Sequence, residues 1–407
     1  MPASIGHEEK RARVAVVAAG VIGPLGAGLK ATLASLSEAR DCVSPVERFP
    51  ISQCRCKTAG QVNDAWLRSI LPNDRRTRRL HRAARMMIAA LAELLEQAPD
   101  FRPQLTVVGT TSGGMSFGEQ YYRALQQPGT RSIRAAEWIA NYPPPKPALD
   151  ALAACGLGSP CRVIVNACAS GTNAIGHAFE CIRSGRYDRI LTGGYDALSE
   201  LVFVGFDALQ AATPEKCRPF DGARSGLVLG EGAALLALEN LEQARTRGAE
   251  ILAEISGYGI STDNHHLTQP HPSGIGPRQA MERALQSAGL NPAAIDYVNA
   301  HGTATPTNDA AEGRAIVELL GRVPVSSTKG MMGHSLGAAG AIEAVLTILA
   351  LRNGFLPANI NFRVSDPGLD LDIVANRVRQ AAVTAAISNS FGFGGTNASI
   401  VIRRQAA

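Results

Sequence analysis

Apolar and polar positions along this 407-residue chain follow two rhythms. Short runs rich in β-branched residues or alanine (13–19, 105–108, 162–165, 189–194) read as buried strands. A longer run, 227–238, reads as one strand broken by glycines. Between these runs, apolar residues recur at helical spacing. The clearest case is one amphipathic helix over 72–97, with Leu80, Ala84, Met87, Ile88, Leu91, Leu94 and Leu95 on one face and arginines crowding its entrance. Further helices are expected at Leu29–Leu36, through Leu149, Leu152 and Leu157, through His177, Phe179 and Ile182, and at Asn240–Arg247, closed by Gly248. The proline run 143–147 is a stiff connection within a domain. Strands alternating with helices predict an α/β fold with mainly parallel sheets.

From about residue 250 the pattern starts again. Val165-Asn-Ala-Cys168 has a near copy in Val298-Asn-Ala-His301, and the glycine-led run from Gly230 has a counterpart from Gly394. Both matches keep their order, which predicts two pseudo-repeated βαβ halves, 1–250 and 251–407, in a layered αβαβα arrangement. If the halves pack about a pseudo-twofold axis, Cys168 and His301 are expected at equivalent strand ends, converging on one site.

Composition narrows the classes. Apolar residues make up 45% and charged residues 18%, with a net charge of +5, so nucleic acid is not implied. The eight cysteines are scattered without a CxxC pair, which argues against a zinc knuckle or a disulfide framework and for reduced thiols. The N-terminus lacks an apolar signal core, and no run reaches ~18 uninterrupted apolar residues. The expected location is the cytoplasm, away from a membrane. Gly20–Gly26 lacks dinucleotide-fingerprint spacing.

The chemistry gathers at strand ends. Cys168 sits where a strand breaks at Cys-Ala-Ser-Gly into a helix, and a helix N-terminus is expected to lower a thiol pKa. His301 ends another strand ahead of a threonine-rich loop. Lys329 and His334 frame Lys-Gly-Met-Met-Gly-His, and Asn389-Ser-Phe-Gly-Phe-Gly-Gly-Thr-Asn397 is a strand, a glycine loop and a strand. Taken singly, a cysteine or histidine in such a place is more often structural. Several reactive groups at strand ends of one α/β fold argue for a site.

With these motifs, over nearly the whole chain, the sequence resembles the β-ketoacyl-acyl-carrier-protein synthases of thiolase fold, in the synthase I/II branch with a Cys-His-His triad. The resemblance implies an acyltransferase that performs a decarboxylative Claisen condensation. Cys168 would carry the acyl chain, and His301 and His334 would stabilise the enolate of the malonyl unit. Backbone N–H groups of Cys168 and Phe393 would form the oxyanion hole. Lys329 would pair with Glu312 and set the electrostatics of the histidines. Thr268, Thr303 and Thr305 would line the phosphopantetheine tunnel, Phe391 and Phe393 the gating loop, and Ser112 the acyl pocket. Arg75, Arg78, Arg79 and Arg131 would dock an acidic acyl carrier protein, with Lys216 and Arg218 compensating for Pro214, which stands at an often basic position. The resemblance further implies a homodimer, with a heterodimer as the other possibility, and neither metal nor cofactor beyond the phosphopantetheine of the carrier. Fatty-acid elongation is the expected pathway. The alternatives are a specialised type II polyketide or aryl-polyene ketosynthase, prompted by Ser112 and the proline run, and a non-catalytic chain-length partner, against which Cys168 argues.

Overall fold

In a computed structural model, residues 11–126 and 133–405 are described. Ten strands make up most of a 12-stranded sheet: Val14–Gly23 (β1), Leu105–Gly109 (β2), Cys161–Ile164 (β3), Arg189–Asp196 (β4), Gly232–Asn240 (β5), Ala253–Thr262 (β6), Tyr297–Asn299 (β7), Pro324–Ser326 (β8), Ala385–Gly392 (β9) and Thr396–Arg403 (β10). The first five lie in the order β1-β5-β4-β2-β3 and the second five in the order β6-β10-β9-β7-β8. Pairing directions also match. In each half the first strand runs antiparallel to the last, the last antiparallel to the fourth, and the second parallel to both the fourth and the third. The halves join where Val14–Val16 lies antiparallel to Ala253–Ile255.

This topology supports the duplication but corrects its detail. The glycine-led runs are indeed the equivalent last strands, β5 and β10. Cys168, however, follows the third strand of its half, whereas His301 follows the second strand of its own. The Val-Asn-Ala echo is therefore not a structural equivalence. The third strand of the second half leads instead to Lys329 and His334. Parallel neighbours β7 and β8 present His301 and His334 on one side, and the contact between Ser170–Arg183 and Ala339–Asn353 brings Cys168 to them from the far end of the sheet order.

Helices Ser170–Arg183 and Ala339–Asn353 form the middle layer, covered on nearly all sides. The second is apolar all round, as a helix enclosed by protein must be. They cross closely because a Cβ at Gly340 would meet Thr172 Oγ1 at 2.0 Å. Arg82–Gln97 covers the outer face of the first half and Ile275–Ala288 that of the second, which gives the αβαβα layering. Among the described residues, one helical stretch is long and apolar enough to cross a membrane, Leu336–Asn353, and 89% of that window is buried inside the protein.

Two local expectations fail for physical reasons. The 72–97 helix is two helices, Arg75–Arg79 and Arg82–Gln97. Leu80 turns extended, and the His81 ring accepts a hydrogen bond from Ala83 N to cap the second. The 227–238 strand begins only at Gly232, because Leu227 and Leu229 make isolated bridges to other loops.

Candidate active site

The turn that presents Cys168 is built by its neighbours. Ala167 adopts φ 56°, a conformation that side chains disfavour. Ser170 holds it there: its hydroxyl donates to Ala167 O at 2.6 Å and accepts from Asn166 N at 2.9 Å. Cys168 is 6% exposed. Burial pushes its thiol up to about 12, against the opposing pull of the Lys329 charge. The expected lowering at the helix start is thus overturned in the resting site, since desolvation of a thiolate outweighs it.

His301 follows β7. Its backbone N–H and that of Gly302 donate to the two oxygens of Glu312, both at 2.8 Å, and Asn389 donates to the same carboxylate at 3.2 Å. Glu312 is therefore the clamp of the His301 turn. Burial raises its carboxyl to about 7, and these donors pull it down. The predicted Lys329–Glu312 pair does not form. Lys329 Nζ lies 2.5 Å from Glu343 Oε1, and both side chains are fully buried. Glu343 projects from the apolar helix Ala339–Asn353, where an isolated buried charge would be costly without a partner. That lone acid in an apolar run was the available sequence signal for the pair.

His334 is held through its backbone, its N–H donating to Val228 O at 2.7 Å and its carbonyl accepting from Gly230 N at 2.8 Å. Among the described residues, neither ring nitrogen of His334 nor Nδ1 of His301 has a protein partner. The rings meet edge to face at 5.2 Å, and Phe391 lies 5.8 Å from His301. Burial, reinforced by the Lys329 charge, holds both imidazoles well below their ordinary pKa. They are neutral near pH 7, so each can donate one hydrogen bond.

Cys168, His301 and His334 line one cavity with Thr268, Thr303, Thr305, Phe391 and Phe393. Phe206 also lines it, a residue that the sequence pattern had hidden. Thr303 and Thr305 share a hydroxyl contact of 2.9 Å. The loop Gly392–Gly395 closes on the cysteine, since a Cβ at Gly392 would approach Cys168 N at 3.2 Å. Ser112, expected in an acyl pocket shared across a dimer interface, does not line this cavity within the chain; its hydroxyl and N–H both bond the buried carboxylate of Asp196 at 2.7 and 2.9 Å.

Arg75, Arg78 and Arg79 are exposed along a groove that also holds Arg76, Lys146, Phe117 and Trp138. Arg82, at the same basic entrance, is spent on Glu231 at 2.7 Å. Lys216 pairs with Asp41 at 2.5 Å while its side chain stays 53% exposed, and Arg218 is 5% exposed and bonds Glu215. Arg131 lies outside the described residues.

A duplicated α/β sheet with this cluster at its strand ends has the architecture of a thiolase-fold condensing enzyme, and comparison with known proteins agrees. Residues 11–244 match the β-ketoacyl synthase N-terminal domain and residues 252–363 the C-terminal domain. The chain is 36% identical to the 3-oxoacyl-[acyl-carrier-protein] synthase 2 of Synechocystis, over 97% of this chain and 99% of that protein. Among solved structures it is similar to the ishigamide ketosynthase/chain length factor, at 33% identity and TM-score 0.90, covering 97% of this chain and all of that one. It is also similar to a ketosynthase from Xenorhabdus doucetiae in complex with its chain length factor, at 29% identity and TM-score 0.84, covering 98% and 100%. The chain belongs to the β-ketoacyl synthase family, the condensing acyltransferases.

Proposed function

We propose that this enzyme condenses an acyl group on Cys168 with malonyl-acyl-carrier protein, giving a β-ketoacyl-carrier thioester two carbons longer. The observation that carries this reading is the single cavity shared by Cys168, His301 and His334. Cys168 attacks the incoming acyl thioester, and the carrier thiol leaves. Malonyl-carrier protein then loses carbon dioxide, and the two neutral imidazoles donate hydrogen bonds to the enolate oxygen that develops. The enolate carbon attacks the acyl-Cys168 carbonyl, the C–S bond breaks, and the thiolate returns. The N–H groups of Cys168 and Phe393 receive the transient oxyanion, which the close approach of Gly392 to Cys168 N favours. Thr268, Thr303 and Thr305 bond the amides of the phosphopantetheine arm. No cofactor takes part beyond that arm. The exposed Arg75, Arg78 and Arg79 dock the acidic carrier. Eight free thiols suit a cytoplasmic setting.

Incubation with an acyl-carrier protein is expected to add the acyl mass to the Cys168 peptide; an unmodified peptide would refute the assignment. In Cys168→Gln, condensation is lost while malonyl decarboxylation persists or rises.

Fatty-acid elongation is the principal pathway reading, in line with the 3-oxoacyl synthase relative. The two solved ketosynthases paired with chain length factors favour a second, a polyketide or aryl-polyene ketosynthase with a heterodimeric partner. Condensation with carriers bearing saturated and polyunsaturated chains, read by mass, separates them.

A further inference from the structure

The cavity around Cys168 has a free volume of about 40 Å³. At ~10–15 Å³ per site, that holds a few waters. A carrier-bound thioester must pass the walls of this narrow cavity to reach Cys168. The walls differ in freedom. Phe393 stands in a loop of glycines, with Gly394 at φ 84° and no atom near its missing Cβ. Phe206 stands on the helix Glu200–Ala208, which is pinned on both sides of it. Phe203 is buried edge-on against Phe49 at 5.5 Å, and the Asp207 carboxylate accepts from Arg55 N and Cys56 N, each at 3.0 Å. Of the rings that line the cavity, Phe206 and Phe393 stack on each other at 5.5 Å and 15°.

We propose that Phe206 is the latch of the gate, a positioning residue whose fixed ring holds Phe393 across the approach to Cys168. The proposal deepens the condensing reading and rests on it. Stacking with Phe206 favours the closed loop. Opening must break that stack, so the ring sets how often Cys168 is reachable by a large reactant. It does not touch the reacting atoms.

The test needs no substrate. Cys168 is modified with a small reagent, iodoacetamide, and with a bulky one, N-phenylmaleimide, in the wild type, Phe206→Leu and Phe206→Tyr. Phe206→Leu is expected to speed the bulky reagent about three- to tenfold, the scale of one lost aromatic pair, and to leave the small one unchanged. Phe206→Tyr, which keeps the ring, is expected to return the bulky rate to that of the wild type. An unchanged bulky-to-small ratio in Phe206→Leu overturns the latch, as does a Phe206→Tyr that behaves like Phe206→Leu. Thermal melting checks that each variant folds; Phe206→Met, which also removes the ring, takes the place of a leucine variant that does not. If acyl-carrier protein fails to load wild-type Cys168, the condensing reading fails, while the alkylation ratio still reports on the latch.

Discussion

The Lys329–Glu343 pair offers the sharpest test of the site's electrostatics, because its two members act on Cys168 with opposite signs. The lysine pulls the thiol pKa down and the glutamate pushes it up, with the lysine the stronger. Both are fully buried, 2.5 Å apart. Removing one partner from such a pair costs about 3–5 kcal/mol, a large share of the ~5–15 kcal/mol that holds a domain folded. Replacing both by apolar residues of similar volume is often close to neutral. The variant of choice is therefore Lys329→Met with Glu343→Leu. With the dominant lysine charge gone, the Cys168 pKa rises further. Well below that pKa, each unit of rise cuts the thiolate tenfold. Part of this returns, because a more basic thiolate is a better nucleophile, with a Brønsted slope of about 0.4–0.5. Alkylation by iodoacetamide at pH 8 should slow about threefold per unit. Glu343→Gln, where it folds, should speed the same reaction, since the unopposed lysine then faces the thiol. The assay is the pH dependence of the alkylation rate, with urea midpoints run beside it. A double variant that folds and alkylates at the wild-type rate, or faster, refutes the claim that Lys329 reaches Cys168.

Acid should destabilise the fold through its buried histidines. Burial lowers His81 to about 4, and His301 and His334 also lie well below the ordinary value. Below pH ~6.5 the unfolded chain binds protons that the native rings refuse, so stability is full above that pH and falls from there towards the folded pKa. His81 alone accounts for a loss of about 3 kcal/mol by pH 4; urea midpoints between pH 7.5 and 5 should fall, and His81→Gln should flatten the slope. Reversing Arg75, Arg78 and Arg79 to glutamate should weaken carrier binding roughly tenfold or more at low salt, with the difference shrinking as salt rises. Equal affinity measured by titration calorimetry would make that patch a solvated face.

The motifs around Cys168, His301, Lys329, His334 and Phe393 were legible because each is a local word: a strand end, a glycine and a reactive side chain within a few residues. The same is true of the main strands of the first half and of helices such as Leu29–Ser37 and Ser170–Arg183, which are written in hydrophobic period. Pairings across the chain were not. Lys329 was assigned to Glu312, an acid near it in the motif order, whereas Glu343 holds it and Glu312 clamps two backbone N–H groups. Ser112 is likewise tied to Asp196, 84 positions along the chain. Phe206 carried no signal in the sequence, because nothing in its neighbours along the chain shows which ring faces it.

By itself, then, the sequence determined the α/β class, the duplication, the family and the groups that carry the chemistry. These follow from local propensity and from residue types with few other uses. Tertiary structure alone decided that Cys168 and His301 leave non-equivalent strands, that burial pushes up the pKa of a thiol at a helix start, and that Phe206 and Phe393 stack at the wall of one cavity. Each of these depends on burial and on partners brought together from distant positions. Desolvation and charge–charge energies are set by those three-dimensional neighbours, not by the order of residues along the chain.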